Sequence, residues 1–181
     1  MDNIADLEIR MPVTEEEIDA CSLLMSRTDP WLTLGRTYDE SRKLFTDPQK
    51  EVFIAVESNR LAGFLVLDLN GPFKGYIQSL CIVPSRRSAG LGSKMIKFAE
   101  NLIFEISPNA FICVSDFNPR AKALYQRLGY KAVGELPDFF VSGKTEILMR
   151  KTTGPIQSFR PRSKRAGFKG PGNTRGMHME C

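Results

Sequence analysis

Two strand–turn–helix units stand in tandem between residues 76 and 130, and they constrain the fold more than any other stretch of the chain. The first opens with "YIQSLCIV", a run of strand formers, passes through the donor-rich turn "PSRRSAG", and enters "GLGSKMIKFAENLIFEI". There Leu91, Met95, Ala99, Leu102, Ile103 and Ile106 fall on one helical face. "SPN" breaks that helix. The second unit is the buried strand "AFICVSD" followed by "NPRAKALYQRLGY", with Asn118 as N-cap, Pro119 at the first helical position and Gly129 just past the end. Helices that cross over between strands impose a partly parallel sheet.

The flanking chain reads as strands and helices of the same domain. "DLEIRMP" is a strand, and "TEEEIDACSLLMSR" a helix with Thr14 as cap and Glu17 three places on. "DPWLTLGRTY" is a loop and "DESRKLFTD" a short helix. "EVFIAVES" and "LAGFLVLDLN" form a hairpin around "NR", and "GPFKG" is a second turn. "YKAVGELP" and "KTEILMRK" close the domain as strands around "DFFVSG". The order β-α-α-β-β-β-α-β-α-β-β predicts an α/β fold with a mixed, partly parallel central sheet of about seven strands flanked by about four helices.

Composition sets outer bounds. At 181 residues, 42% hydrophobic and 25% charged, the chain can build one domain with a sizeable core. Its longest apolar run, "LAGFLVLDL", is too short for a bilayer span and carries an aspartate, so no membrane partner is expected. The N-terminus shows no apolar signal region, and Cys21, Cys81, Cys113 and Cys181 form no C-x-x-C pair; both features fit a cytoplasmic protein with reduced thiols. A single histidine, His178, argues against a zinc site or a histidine triad, and no metal is expected. From Gly154 onward Arg160, Arg162, Lys164, Arg165, Lys169 and Arg175 stand against Glu180, a balance of +5 that leaves −1 for residues 1–153 out of a total of +4. Residues 1–153 are therefore taken as the domain, and 154–181 as a basic Gly/Pro/Arg-rich tail too poor in apolar side chains to offset its ordering entropy. Two readings of the tail stand side by side: a solvated extension, or an arm that contacts nucleic acid.

"RRSAGLGS" carries the first sign of chemistry. A helix start has unpartnered N–H groups and partial positive charge, and small residues let a ligand reach that backbone. Arg86 and Arg87 add full charge, making a plausible pyrophosphate seat. It is not a Walker loop, because Gly92, Ser93 and Lys94 lack the G-K-[ST] order. Nor is it a dinucleotide fingerprint, because Met95 holds the third glycine position.

The pair of units resembles the GNAT superfamily of acetyl-CoA-dependent N-acetyltransferases. Arg87, Ser88, Ala89, Gly90, Leu91 and Gly92 are similar to that family's [Q/R]-x-x-G-x-[G/A] pyrophosphate motif. Asn118, Ala121, Tyr125, Gly129 and Tyr130 are similar to its N-x-x-A-x-x-x-Y-x-x-x-G-[F/Y] signature. The resemblance covers roughly residues 5 to 152. It implies that acetyl-CoA is the cosubstrate, with the backbone of Leu80, Cys81 and Ile82 holding the pantetheine arm and Asn118 contacting it. It also implies a place for Tyr125 near the thioester sulfur. A phenol of pKa ~10 keeps the proton that a thiolate leaving at ~8.5 needs. Read without the resemblance, Tyr125 is part of an apolar helix face with Ala121, Leu124 and Leu128.

The base and the acceptor are left open. Relatives that acetylate an N-terminal alanine carry glutamate and arginine where this chain has Cys113 and Ser115. A water chain, Asp116, or an α-amine of pKa ~8 that needs little help are the surviving routes. Trp31, Arg36, Tyr38, Phe139 and Phe140 lie where the resemblance places acceptor recognition, and the same aromatics would also serve to cover a sheet edge. The acceptor would be an amine of a small molecule or a protein. The rival classes are a module that binds coenzyme A without turnover, and an RNA-contacting protein led by its tail.

Overall fold

The run "FLVL" offers no polar alternation, as a strand buried on both faces requires. The structure, a computed structural model, describes residues 7–71 and 73–162 and places that run in the centre of a seven-stranded sheet. Along the chain come β1 (Leu7–Arg10), α1 (Glu15–Ser26), α2 (Tyr38–Phe45), β2 (Glu51–Glu57), β3 (Arg60–Asp68) and β4 (Tyr76–Ile82). They are followed by α3 (Leu91–Ile106), β5 (Asn109–Ser115), α4 (Pro119–Arg127), β6 (Lys131–Pro137) and β7 (Thr145–Thr152). This is the predicted order and fold class. Across the sheet the strands run β1-β2-β3-β4-β5-β7-β6, and only the β4–β5 pair is parallel.

Each sheet face carries its own apolar layer. Leu65 and Leu67 of β3 point to one face, with Met95, Ile96, Ala99 and Ile103 of α3 and Tyr125 of α4. Phe64 and Val66 point to the other, with Cys21 and Met25 of α1 and Leu44 and Phe45 of α2. A fully buried side chain of this size contributes about 1.5–3 kcal/mol, so the two faces together anchor all four helices.

Local chemistry sets the helix starts. Thr14 accepts the Glu17 amide at 3.3 Å, and the Glu17 carboxylate reaches back past the cap. It takes the Val13 amide at 2.8 Å and Arg10 at 2.6 and 3.0 Å, tying α1 to β1. The Arg10 hydrogen bond is the main cause that pulls the Glu17 pKa down to about 2. The reciprocal box occurs on α2, between Thr37 and Glu40.

Contacts with the domain continue across position 153, where composition divides the chain. Thr153 N–H donates to the Pro108 carbonyl, Ile156–Ser158 form a 3-10 turn, and Arg162 N–H donates to the Glu105 carbonyl, each bond at 2.9 Å. Residues 154–162 thus run beside the C-terminal end of α3. The rest of the basic stretch, residues 163–181, lies outside the described residues. Among the described residues no helix is long and apolar enough to cross a membrane.

Candidate active site

One extra residue in β4 opens the sheet. On β3, Leu67 pairs with Ile77 and Val66 with Ser79, so Gln78 has no opposite number. Such a bulge bends its strand. On the other side, β4 and β5 pair only at Tyr76–Phe111 and Ile77–Ile112, and part immediately beyond. The gap is the core of a cavity of about 1070 Å³. It reaches from the turn before α3 to the loops flanking α2 and β7.

At one end stands an anion seat. The first helical bond of α3 runs from Lys94 N–H to the Gly90 carbonyl, leaving the amides of Leu91, Gly92 and Ser93 without an acceptor inside the helix. Gly90 has φ +78°, and a side chain added there would meet open space. Ser88, also left-handed at φ 67°, accepts from Arg120 Nη2 at 2.8 Å, which brings the start of α4 to the turn. Arg87 is held by its Nε on the Ile82 carbonyl at 3.0 Å. Arg86 is ion-paired with Glu57, so its charge is already met.

Along the gap, Val83 N–H donates to the Ala62 carbonyl of β3 at 3.0 Å. Main-chain groups alternate sides along a strand, so Leu80 and Ile82 turn theirs to the gap and Cys81 turns its own toward β3. Tyr125 lines the same cavity, 6% exposed, and its hydroxyl has no hydrogen-bond partner among the described residues. Burial pushes its pKa well up, with Cys81 and Glu146 adding to the effect, so the phenol keeps its proton. Asn118 also lines the cavity, its Oδ1 capping α4 through the Ala121 amide at 3.2 Å.

Deeper in lies a carboxylate. Glu146 of β7 stands opposite Ser115 of β5, is 5% exposed, and accepts a hydrogen bond from the Ser115 hydroxyl through Oε1. Burial raises its pKa, partly offset by that bond, and Asp116 raises it further. Tyr76 lies against Cys113 nearby, and burial pushes both of their pKa values up. Asp116 itself is exposed and does not line the cavity.

Trp31, Arg36, Phe139 and Phe140 also line the cavity. Phe139 and Phe140 stack edge to face at 4.7 Å and are 53% and 55% exposed. Trp31 also packs on Phe64 at 5.6 Å, so it serves the core and the cavity together. Burial lowers the Arg36 pKa, and among the described residues its buried Nε has no partner, nor has Gln78 Oε1. Among the described residues no group of three or more metal-ligating side chains could hold a metal ion.

A model of the Acetyltransferase (GNAT) family matches residues 15–130. The chain belongs to the GNAT family. A relative, an uncharacterized N-acetyltransferase of Methanocaldococcus jannaschii, is 30% identical over 101 residues, or 55% of this chain. The matched region spans 64% of that relative's length. Among solved structures, Arabidopsis thaliana NAA60 in complex with a bisubstrate analogue aligns with TM-score 0.68 and 16% identity over 81% of this chain and 98% of that one. An aminoglycoside 6′-N-acetyltransferase complexed with coenzyme A gives 0.66 and 20% identity over 83% and 98%. At such identities the likeness is one of fold.

Within this GNAT chain the cavity gathers Leu80, Cys81, Ile82, Arg87, Ser88, Gly90, Gly92, Asn118 and Tyr125. Leu91 instead turns its side chain into the core, and Ala89 lies outside the cavity wall. Tyr38 departs from the acceptor wall altogether: its hydroxyl donates to Asp19 of α1 at 2.8 Å, where Arg42 also binds. Tyr38 is a clasp between α1 and α2. Sequence reasoning missed Glu146, Ser115 as its donor, and the bulge residue Gln78. A polar side chain at an inward position of "KTEILMRK" was the only trace of Glu146.

Proposed function

We propose that this protein transfers the acetyl group of acetyl-CoA to a primary amine by direct attack of the neutral amine on the thioester. The observation that carries the reading is a single cavity joining an anion seat, an open strand edge and a buried phenol. The residues fit the cosubstrate: the free amides of α3 and the Arg87 guanidinium, which meets no carboxylate among the described residues, suit a pyrophosphate, and open space over Gly90 admits it. The gap-facing main chain of Leu80 and Ile82 suits the amide-bearing arm. Acetyl-CoA supplies an acyl group already activated as a thioester. Tyr125 holds a proton for the departing sulfur. The acceptor is an amine of a small molecule or a protein, and a buried carboxylate in the cavity wall favours a cationic one.

Steady-state thiol release over a panel of aliphatic amines, aminoglycosides, polyamines and peptide N-termini tests this. Turnover with at least one class is the expected result. Tight coenzyme A binding with no turnover on any of them would leave a binding module instead. Gly90→Val is expected to weaken acetyl-CoA binding at least about tenfold in calorimetry, because a β-branched residue resists the left-handed backbone and its side chain crowds the phosphate approach. An unchanged affinity in a folded variant would remove the pyrophosphate assignment.

A further inference from the structure

We propose that Glu146 receives the acceptor amine as its ammonium ion and removes the proton that blocks attack. The proposal rests on the acetyltransfer reading above and names the base that reading lacks. Glu146 is nine-tenths buried, lines the same cavity as Tyr125, and is held by one oxygen only. Among the described residues only its Oε1 has a hydrogen-bond partner. Cys113 occupies a neighbouring inward position of β5, but burial raises its pKa, so it stays a thiol. Asp116 lies outside the cavity wall. Two other carboxylates, Asp29 and Glu40, also line the cavity, but Glu146 is the one whose charge acts on Tyr125.

The groups facing Glu146 fix how it titrates. From β5 come the Ser115 hydroxyl, the Cys113 thiol and, just past the strand, Asp116. Tyr76 of β4 and Tyr125 of α4 both feel its charge. From β6 the opposite residue is Leu136, and nearby Lys144 sits over the Phe117 ring at 5.1 Å. Asp29, Arg36, Glu40 and Lys43 also line the cavity. Burial therefore raises the carboxyl pKa above the ordinary range without a cation bound to pull it back.

The protons balance. An ammonium R–NH3+ gives one proton to Glu146 Oε2, and the freed nitrogen pair bonds to the carbonyl carbon. As the C–S bond breaks, its electron pair leaves on sulfur, which takes the Tyr125 proton. The nitrogen loses its second proton to the Tyr125 oxygen, and Glu146 releases the first to solvent. The products are the amide, the free thiol and one proton in solution.

Glu146→Gln keeps the shape and removes the base. With an aliphatic amine at pH 7 it is expected to lower kcat/KM about a hundredfold or more, with acetyl-CoA affinity and thermal midpoint retained. With trifluoroethylamine, already neutral at that pH, the variant should approach the wild-type rate. Because the base must be ionised, wild-type kcat/KM should fall as pH drops through the raised pKa. Ser115→Ala, which deletes the donor to the carboxylate, should move that limb to higher pH. Carbon NMR of glutamate-labelled protein without ligand provides a reading apart from activity. One carboxyl should titrate above the ordinary glutamate range, vanish in Glu146→Gln and shift upward in Ser115→Ala. A Glu146→Gln enzyme with the wild-type rate and pH profile on aliphatic amines overturns this proposal alone. So does a Glu146 carboxyl that titrates in the ordinary range. A wild type that acetylates no amine overturns the acetyltransfer reading and this proposal with it.

Discussion

Tyr125→Phe is expected to lower kcat by roughly ten- to a thousandfold while the acetyl-CoA Kd stays within about twofold. The reasoning separates the ring from the hydroxyl. The ring packs in the core layer beside Tyr130, with centroids 6.2 Å apart, and phenylalanine preserves that contact. Burial and the charges of Cys81 and Glu146, with no hydrogen bond among the described residues, set the state of the hydroxyl, so its loss breaks no protein hydrogen bond. Stability should hardly change. What disappears is a proton source that burial keeps loaded at every working pH. The check is rapid-mixing kinetics with calorimetry on the same preparation. Equal turnover in both enzymes would return Tyr125 to the apolar face of α4 and nothing more.

Gly75→Ala is expected to cost about 2–5 kcal/mol of stability, combining left-handed strain with overpacking. Gly75 has φ +92°, and a β-carbon there would sit 2.4 Å from the Asn109 carbonyl oxygen and 2.5 Å from Ile103 Cγ2. Neither contact can relax cheaply, since one is backbone and the other a fully buried branch of α3. The Gly75 carbonyl also accepts the Phe111 amide at 2.9 Å, immediately before the two β4–β5 pairs. Strain is thus delivered to the one seam that holds the parallel strands. A fall in thermal midpoint on the order of 10 °C should be measured by calorimetry. Gly134→Ala, with nothing within 4 Å of its added carbon, serves as the neutral comparison.

What was legible in the sequence was local. Asn118, Pro119 and Gly129 announce both ends of α4 because caps act within one turn, and the structure uses each as read. The hairpin turn was read one residue late: Ser58 and Asn59 take the left-handed backbone. The "TYDE" capping box was passed over because it lies at the edge of an apparent loop. Glu146 was out of reach for a different reason. Its meaning comes from pairing with Ser115, and that register depends on two strands separated by a helix and a third strand. Gln78 is likewise ordinary until its neighbours on β3 show that it has been skipped. Tyr38 looked like a pocket aromatic, but Asp19 offered its hydroxyl a partner nineteen residues away.

The bulge at Gln78 has a mechanical consequence. Four strands, β1 to β4, form one plate and three, β5, β7 and β6, form another, and two residue pairs at one end rivet them together. Past the rivet the plates diverge like an open book. On the proposed reading, an extended cosubstrate laid against the free edge of β4 would lie as a page between them, bridging the two plates where the chain itself makes no pair.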